Sequence, residues 1–373
     1  MRVVAREVTA TWQADELGPV KVVFLRPMPR MAAVVVLDNL TLGPAIGGVR
    51  WSPSVSVAEV ARLARAMTVK NAAAGLPYGG GKSGIYLPPC PDGESRHPAM
   101  RAFARAIEQL TDYIPGPDMG TDEGCMAVVH DEIGRAVGLP SVLGGIPLDE
   151  LGATGYGLAC CADALAADKV IELDGARVVV QGFGAVGTHA ARFLAERGAR
   201  IIAVSDVAGA TCREDGLDVE ALLAAKREHR SVAAFPGGTP CDRDEILWKE
   251  CELLVPAAGP DVFTAGNAAR VRAKVILQGA NIPATAEAER IFHRQGVLSV
   301  PDVIANAGGV ICAAVEQQGG NHAQAFAAIE EKICANTAEL VDRLDAGTSL
   351  PREAATAMAM GRLRAAAGYR RHF

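Results

Sequence analysis

ARVVVQGFGAVGTHAARFLAERG, residues 176–198, reads as a strand, a glycine turn and a helix in direct succession. Val178, Val179 and Val180 are a short β-branched run, the composition of a strand buried on both faces. Gly182, Gly184 and Gly187 follow in GxGxxG spacing, with Phe183, Ala185 and Val186 between them. Alone, that spacing is a weak signal. Here it separates a strand from a helix, and an acidic residue, Asp206, closes the next apolar run, ARIIAVSD. Together these make the fingerprint of a dinucleotide-binding Rossmann unit. Gly182 permits the tight turn, Gly184 lets the main chain approach a pyrophosphate, and Gly187 lets helix and strand pack closely. The helix N-terminus adds N–H donors and a positive dipole end for the phosphates. Asp206 is placed to accept from the adenosine ribose, which favours NAD; NADP stays open, with Arg213 the nearest later cation.

The pattern continues towards the C-terminus. ELLVPAA, KVILQGA and VLSVPD are further apolar runs, separated by helical stretches, and Ala-rich helices follow near 323–344 and 351–367. Strand–helix alternation of this kind implies a parallel sheet covered by helices. Upstream the pattern is mixed. VKVVFLR (20–26) and MAAVVVLD (31–38) read as paired strands. Ser56-Val57-Ala58-Glu59 is a capping box, and it opens a helix whose apolar Val60, Leu63, Ala64 and Met67 recur at helical spacing. A second helix near 98–111 leads into YIPGPDMGTDEG, a loop enforced by Pro and Gly around Asp118. LGGIPLDELGATGYG (143–157) reads as a glycine hinge. The expected architecture is α/β, with two domains around a cleft. Residues 1–147, completed by C-terminal helices 345–373, form a substrate and oligomerisation domain; 148–344 form the Rossmann domain.

Composition narrows the function. The 373 residues carry a formal net charge of -6, and no basic patch of the kind a nucleic-acid binder shows. The basic end RLRAAAGYRRHF reads as a solvated helix end. No apolar run approaches a membrane span, and MRVVAREVTATW lacks the apolar segment of a signal peptide. The nine cysteines show no CxxC spacing. That argues against a disulfide framework and against a zinc site. They read as small buried hydrophobes in a reducing cytoplasm, with no metal.

Two lysines hold the chemistry. Lys70 ends the capped helix, and Lys82 follows three glycines in VKNAAAGLPYGGGKSG (69–84). Placing two ammonium groups in an Ala- and Gly-rich setting is costly, unless an anion is bound or one lysine is neutral. That points to a site that grips a carboxylate and moves protons beside it. Taken singly, a lysine is usually solvated, and an aspartate in a Pro/Gly loop usually forms a turn.

The ordered set LGPAIGGVRW (42–51), MTVKNAAAGLPYGGGKSG (67–84), PGPDMGT (115–121), ATGYG (153–157), GFGAVG, GANIPAT (279–285) and PDVIANAGGV (301–310) resembles the glutamate/leucine/phenylalanine/valine dehydrogenases from about residue 20 onward. The resemblance implies reversible, NAD(P)-dependent oxidative deamination of an L-amino acid to a 2-oxo acid and ammonia, in a homo-oligomer, commonly a hexamer or octamer. It implies that Lys70 binds the α-carboxylate and that Lys82 and Asp118 are catalytic. Gly47 and Gly48 would line the substrate site, Asn306 would lie where nicotinamide and substrate meet, and Thr154 and Asn281 would sit near the nicotinamide.

The chain also departs from part of that family. The glutamate enzymes carry a lysine before the paired glycines, where this chain has Ile46. They carry a serine downstream of the NAGG asparagine, where this chain has Ala313. A γ-carboxylate buried against Ile46 and Ala313 would lack partners. Gly116 and Ala313 are expected to leave an enlarged apolar pocket beside Val310, suited to a branched-chain or aromatic amino acid. Two other readings stand: a glutamate dehydrogenase with another cation, Arg50 the candidate, and a cofactor-binding regulator without catalysis.

Overall fold

The computed structural model describes residues 14–88, 95–346 and 349–369. MRVVAREVTATW, RRHF and Cys90 lie outside them. The chain forms two compact units. The first comprises the described residues of Met1–Pro147, Val310–Ala325 and Met358–Phe373; the second comprises Leu148–Gly309 and Phe326–Ala357.

The first unit holds strands β1 (Lys21–Met28), β2 (Met31–Asn39) and β3 (Ala45–Trp51), helix α1 (Val57–Ala73), strand β4 (Gly79–Tyr86), helix α2 (His97–Ala106), strand β5 (Tyr113–Pro117) and helix α3 (Glu123–Ile133). Its described strands form one sheet in the order β1-β2-β4-β3-β5. β1 and β4 each run antiparallel to β2, as the paired apolar runs at 20–26 and 31–38 suggest, while β3 is parallel to β4 and β5. Alternation along β2 serves two cores. Val35 and Leu37 pack with Phe103, Met126 and Val129 of α2 and α3, while Val34 and Val36 pack with Val60 and Ala64 of α1. Ser56 caps α1 through Oγ, which accepts from Glu59 N at 3.1 Å. Only this half of the capping box forms, because the Glu59 carboxylate turns to Arg50.

The second unit holds helices α4 (Leu148–Leu151) and α5 (Ala153–Ala167), strand β6 (Arg177–Gln181), helix α6 (Ala185–Ala195), strands β7 (Arg200–Asp206) and β8 (Gly209–Cys212), helix α7 (Val219–His229), strands β9 (Thr239–Cys241), β10 (Cys251–Pro256) and β11 (Ala273–Leu277), helix α8 (Ala286–Arg294), strand β12 (Leu298–Val300) and helix α9 (Asp302–Ala305). Its described sheet runs β12-β11-β10-β6-β7-β8-β9. From β12 to β7 every pair is parallel, so the alternation seen in the sequence gives a doubly wound core. β8 and β9 extend it as an antiparallel edge.

Two expectations are corrected here. Cys212 of β8 and Cys241 of β9 form a disulfide, so the cysteines are not all free thiols; antiparallel pairing of the two strands brings together side chains that sequence separation hides. The segment 143–157 read as a glycine hinge is not open throughout: its ATGYG end forms the first turns of α5. Its glycines serve packing: a Cβ on Gly157 would fall 2.6 Å from Ile333 Cδ1.

The C-terminal segment contains α10 (Gly308–Gln317), α11 (His322–Asp345) and α12 (Pro351–Ala367). The sequence suggests a single return to the first domain at 345, whereas the contacts change unit three times. Glu316 of α10 accepts from Leu139 N at 3.0 Å and Ile146 N at 3.2 Å within the first unit. Ala359 and Leu363 of α12 pack there on Ala72 and Ala73. Arg352, at the start of α12, is instead ion-paired to Glu289 and Asp302 of the second unit.

Candidate active site

Lys82 lies on the face of the first sheet that α1 covers. A Cβ on Gly80 would fall 2.2 Å from Thr68 Oγ1, and one on Gly84 2.9 Å from Val60 Cγ2. Glycines two residues either side of Lys82 therefore let α1 lie close, and Lys82 is 6% exposed beneath it. Alternation places Ile46, Gly48 and Arg50 of β3 on the same face. A Cβ on Gly48 would come within 2.7 Å of Asp118 Cβ and 3.0 Å of Lys82 Nζ. The missing side chain at Gly48 is what lets these two groups meet.

They meet as a charged cluster. Lys82 Nζ is 3.1 Å from Asp118 Oδ2. Arg50 Nε donates to the same oxygen at 2.8 Å, and Arg50 Nη1 pairs with Glu59. Both cations take Oδ2, which leaves Oδ1 of Asp118 for a third donor. Burial pushes the Lys82 ammonium below its ordinary range and Arg50 adds to this; Asp118 and Glu59 oppose without reversing it. Burial alone would raise Asp118, but Lys82 and Arg50 outweigh it and hold the carboxyl low. An easily deprotonated lysine beside an ionised aspartate is an arrangement able to move protons near neutral to alkaline pH.

Lys70 sits in the last turn of α1, 8% exposed. The helix dipole favours a cation at that end. Gly47 has a packing role: a Cβ would fall 1.7 Å from Gly81 O, and its carbonyl accepts from Tyr113 Oη at 2.9 Å. Tyr113 also bonds Ser83 Oγ at 2.9 Å, a buried polar pair under the strands that no motif announced. Ile46 is 3% exposed. Val310 and Ala313 lie on α10, Ala313 one turn before Glu316. Gly116 does not enlarge a pocket, contrary to expectation. A Cβ there would stand 3.1 Å from Val137 Cγ2, so the buried Val137 fills the space.

The second unit carries the glycine turn as a cavity of about 350 Å³, lined by Gly182, Phe183, Gly184, Asp206, Lys226 and Arg243 among others. Gly182 has φ +91°, a conformation that favours glycine. A Cβ on Gly187 would lie 1.8 Å from Gly182 O, whereas at Gly184 the space is open. Closed packing at Gly187 and open approach at Gly184 fit a pyrophosphate over the N-terminus of α6, which begins with Ala185 and Val186. These residues fit a dinucleotide.

Asp206 behaves differently from expectation. Its carboxylate accepts from Ala208 N at 2.9 Å, Val232 N at 2.8 Å and Ser231 Oγ at 3.3 Å, and Lys226 Nζ pairs with Oδ2 at 2.5 Å. Its side chain is 4% exposed. Elsewhere in this unit Asn306 Nδ2 donates to Asn281 Oδ1 at 3.2 Å and to Gly279 O at 3.1 Å. Thr154 stands beside Gly309, where an added Cβ would come within 3.1 Å of its Oγ1. The three motifs ATGYG, GANIPAT and NAGG thus converge at this end of the unit.

Comparison with known proteins accords with this geometry. Residues 144–371 match the sequence profile of the Glutamate/Leucine/Phenylalanine/Valine dehydrogenases, and residues 28–135 match the profile described as the Glu/Leu/Phe/Val dehydrogenase dimerisation domain. The chain belongs to this family of amino-acid dehydrogenases. It is 40% identical over 323 residues to a glutamate dehydrogenase of Aeropyrum pernix, covering 81% of this chain and 77% of that one. It is 40% identical over 291 residues to an NADP-specific glutamate dehydrogenase of Saccharolobus shibatae, covering 74% and 69%. Among solved structures it is similar to the hetero-hexameric glutamate dehydrogenase of Thermus thermophilus in its Leu bound form, with TM-score 0.84 and 30% identity over 95% of this chain and 91% of that one. No helix among the described residues is long and apolar enough to cross a membrane.

Proposed function

We propose that the protein reversibly deaminates an apolar L-amino acid to its 2-oxo acid and ammonia. The observation that carries this reading is the buried Lys82 bonded to Asp118 in the space Gly48 leaves. Lys70 binds the substrate α-carboxylate. A dinucleotide held by its pyrophosphate at the glycine turn would supply the nicotinamide as hydride acceptor for the α-carbon. Lys82, neutral at Nζ, takes a proton from the water that adds to the substrate imine carbon. Asp118 passes a proton to and from the substrate nitrogen through the oxygen that Arg50 and Lys82 leave open.

Ile46 and Ala313 support an apolar side chain, and so does Arg50. Its guanidinium is committed to Asp118 and Glu59, and drawing it away to read a γ-carboxylate would take the cation from Glu59 and leave Asp118 to Lys82 alone. Glutamate is the second reading, favoured by the names of the relatives at 40% identity. The deciding experiment measures cofactor reduction with Leu, Val, Phe, Trp and Glu. Turnover of apolar substrates with none on Glu supports the proposal. Preference for Glu overturns the substrate class and leaves the mechanism. Cofactor binding without turnover of any amino acid would mark a regulator.

For the cofactor, the reading is that NADP is used alongside NAD. Asp206 is turned inward and neutralised, and Lys226 and Arg243 line the same cavity. Lys226→Ala removes a cation and frees the Asp206 carboxylate. It should raise the KM for NADP roughly 10–100-fold, the worth of one charged hydrogen bond, while that for NAD holds or falls. Equal effects on both cofactors would show that Lys226 does not face the 2′-phosphate.

We also read the protein as a homo-oligomer. β1 is an edge strand of the described sheet, and Val20 beside it and its Phe24 and Met28 are exposed.

A further inference from the structure

Among the described residues, the second unit holds a buried ionic cluster of its own. Arg352 Nε donates to both Glu289 carboxylate oxygens at 2.8 and 2.9 Å, Nη1 to Asp302 Oδ1 at 2.8 Å, and Nη2 to Gln278 Oε1 at 2.7 Å. Gln278 Nε2 in turn donates to Glu289 Oε1 at 2.9 Å and Ser299 Oγ at 3.0 Å. The Glu289 and Asp302 side chains are 7% and 4% exposed. Desolvating two carboxylates for one guanidinium gives little net stability compared with apolar packing. The cluster's net worth for stability is therefore small, and its geometry suits a positioning role.

The second Asp302 oxygen, Oδ2, accepts from Ile282 N at 3.1 Å. Ile282 has φ +51°. For a β-branched residue this is a strained, left-handed conformation that persists only where its surroundings hold it. Its other main-chain group is also held, since Asp261 N donates to Ile282 O at 2.9 Å. Ile282 follows Asn281 directly, and Asn281 Oδ1 accepts from Asn306. Arg352 fixes Asp302, Asp302 fixes the strained Ile282, and that bend sets where the Asn281 amide points.

We propose that Asp302, clamped by Arg352, is a positioning residue for the nicotinamide cofactor, acting through the Ile282 bend on Asn281. The inference rests on the reading of Asn281 as a cofactor contact. A glycine at 282 adopts the left-handed conformation without being held, so the coupling can be measured.

The test titrates reduced cofactor by fluorescence against the full-length wild type and Asn281→Ala, Asp302→Asn, Ile282→Gly and Asp302→Asn/Ile282→Gly variants, with the melting temperature of each. Asn281→Ala and Asp302→Asn should each raise the cofactor Kd roughly 2–10-fold, the worth of one neutral hydrogen bond. Ile282→Gly should restore binding in the Asp302→Asn background without restoring its melting temperature. Unchanged Kd in Asn281→Ala overturns both the contact reading and the proposal. A raised Kd there with wild-type Kd in Asp302→Asn, or no rescue by Ile282→Gly, overturns the proposal alone. Should Asp302→Asn not fold, Arg352→Lys gives the same readout: it keeps the charge but loses the fork, so the Kd rises if the clamp positions Asn281 and stays put if it does not.

Discussion

Lys82→Met should fold, bind cofactor and lose turnover by about 10²–10⁴-fold, the range that one general acid–base group contributes. Methionine fills the space beneath α1 without a charge, and Asp118 keeps Arg50 at 2.8 Å, so no buried carboxylate is stranded. Loss of kcat with unchanged cofactor affinity, read by stopped-time assays and direct titration, is the expected pattern; near-normal turnover would sink the mechanism. A pH profile provides a second check. In the proposed mechanism Lys82 acts in its neutral form, so the deamination rate should climb as pH rises through its pKa, which burial sets below the ordinary 10.5. Asp118 raises that pKa, so removing its charge lowers it further. Asp118→Asn should therefore cut the rate and also move the rising limb of the residual activity to lower pH. A limb that stays in place would mean that a different group titrates.

Much of this site was legible in the sequence because its signals are local. The glycine turn, the capped helix ending at Lys70 and the GGGK run each have a physical reading within a few residues. What was not legible depends on side chains brought together from distant positions. Gly116 reads as empty space only until Val137 is seen to fill it. Asp206 reads as a ribose acceptor because its strand end is local, whereas the Lys226 that neutralises it comes from α7. Glu59 reads as half of a capping box, yet the stronger call on its carboxylate is a guanidinium on a neighbouring strand. The Cys212–Cys241 bond depends on an antiparallel edge that strand–helix alternation does not encode. In each case a partner distant in sequence decided the outcome, which a local rule does not read.

The same reasoning bears on substrate choice. On the proposed apolar specificity, Ile46→Lys combined with Ala313→Ser should shift substrate preference towards glutamate. Ile46 lies on the Lys82 face of β3, opposite Gly80 on β4 and Ile114 on β5. A lysine there is buried, and the Asp118 and Glu59 carboxylates are already taken by Arg50, so its ammonium is best paired when a substrate supplies a carboxylate. An apolar side chain then leaves that charge unpaired, while a γ-carboxylate pairs with it and with the new hydroxyl. Sites that hydrogen-bond a polar group can reject the analogue lacking it by roughly 10⁴–10⁵-fold, whereas one methylene in an apolar pocket is worth only about 1–3 kcal/mol. A non-optimised site should reach part of that range: the ratio of kcat/KM for Glu to that for Leu should rise by about 10³-fold. Because Lys82 and Asp118 are untouched, the variant should keep the pH profile of the parent on its best substrate. If the parent already prefers Glu and the double substitution weakens it, the γ-carboxylate is read from a position other than 46, and the apolar proposal falls while the Lys82 chemistry stands.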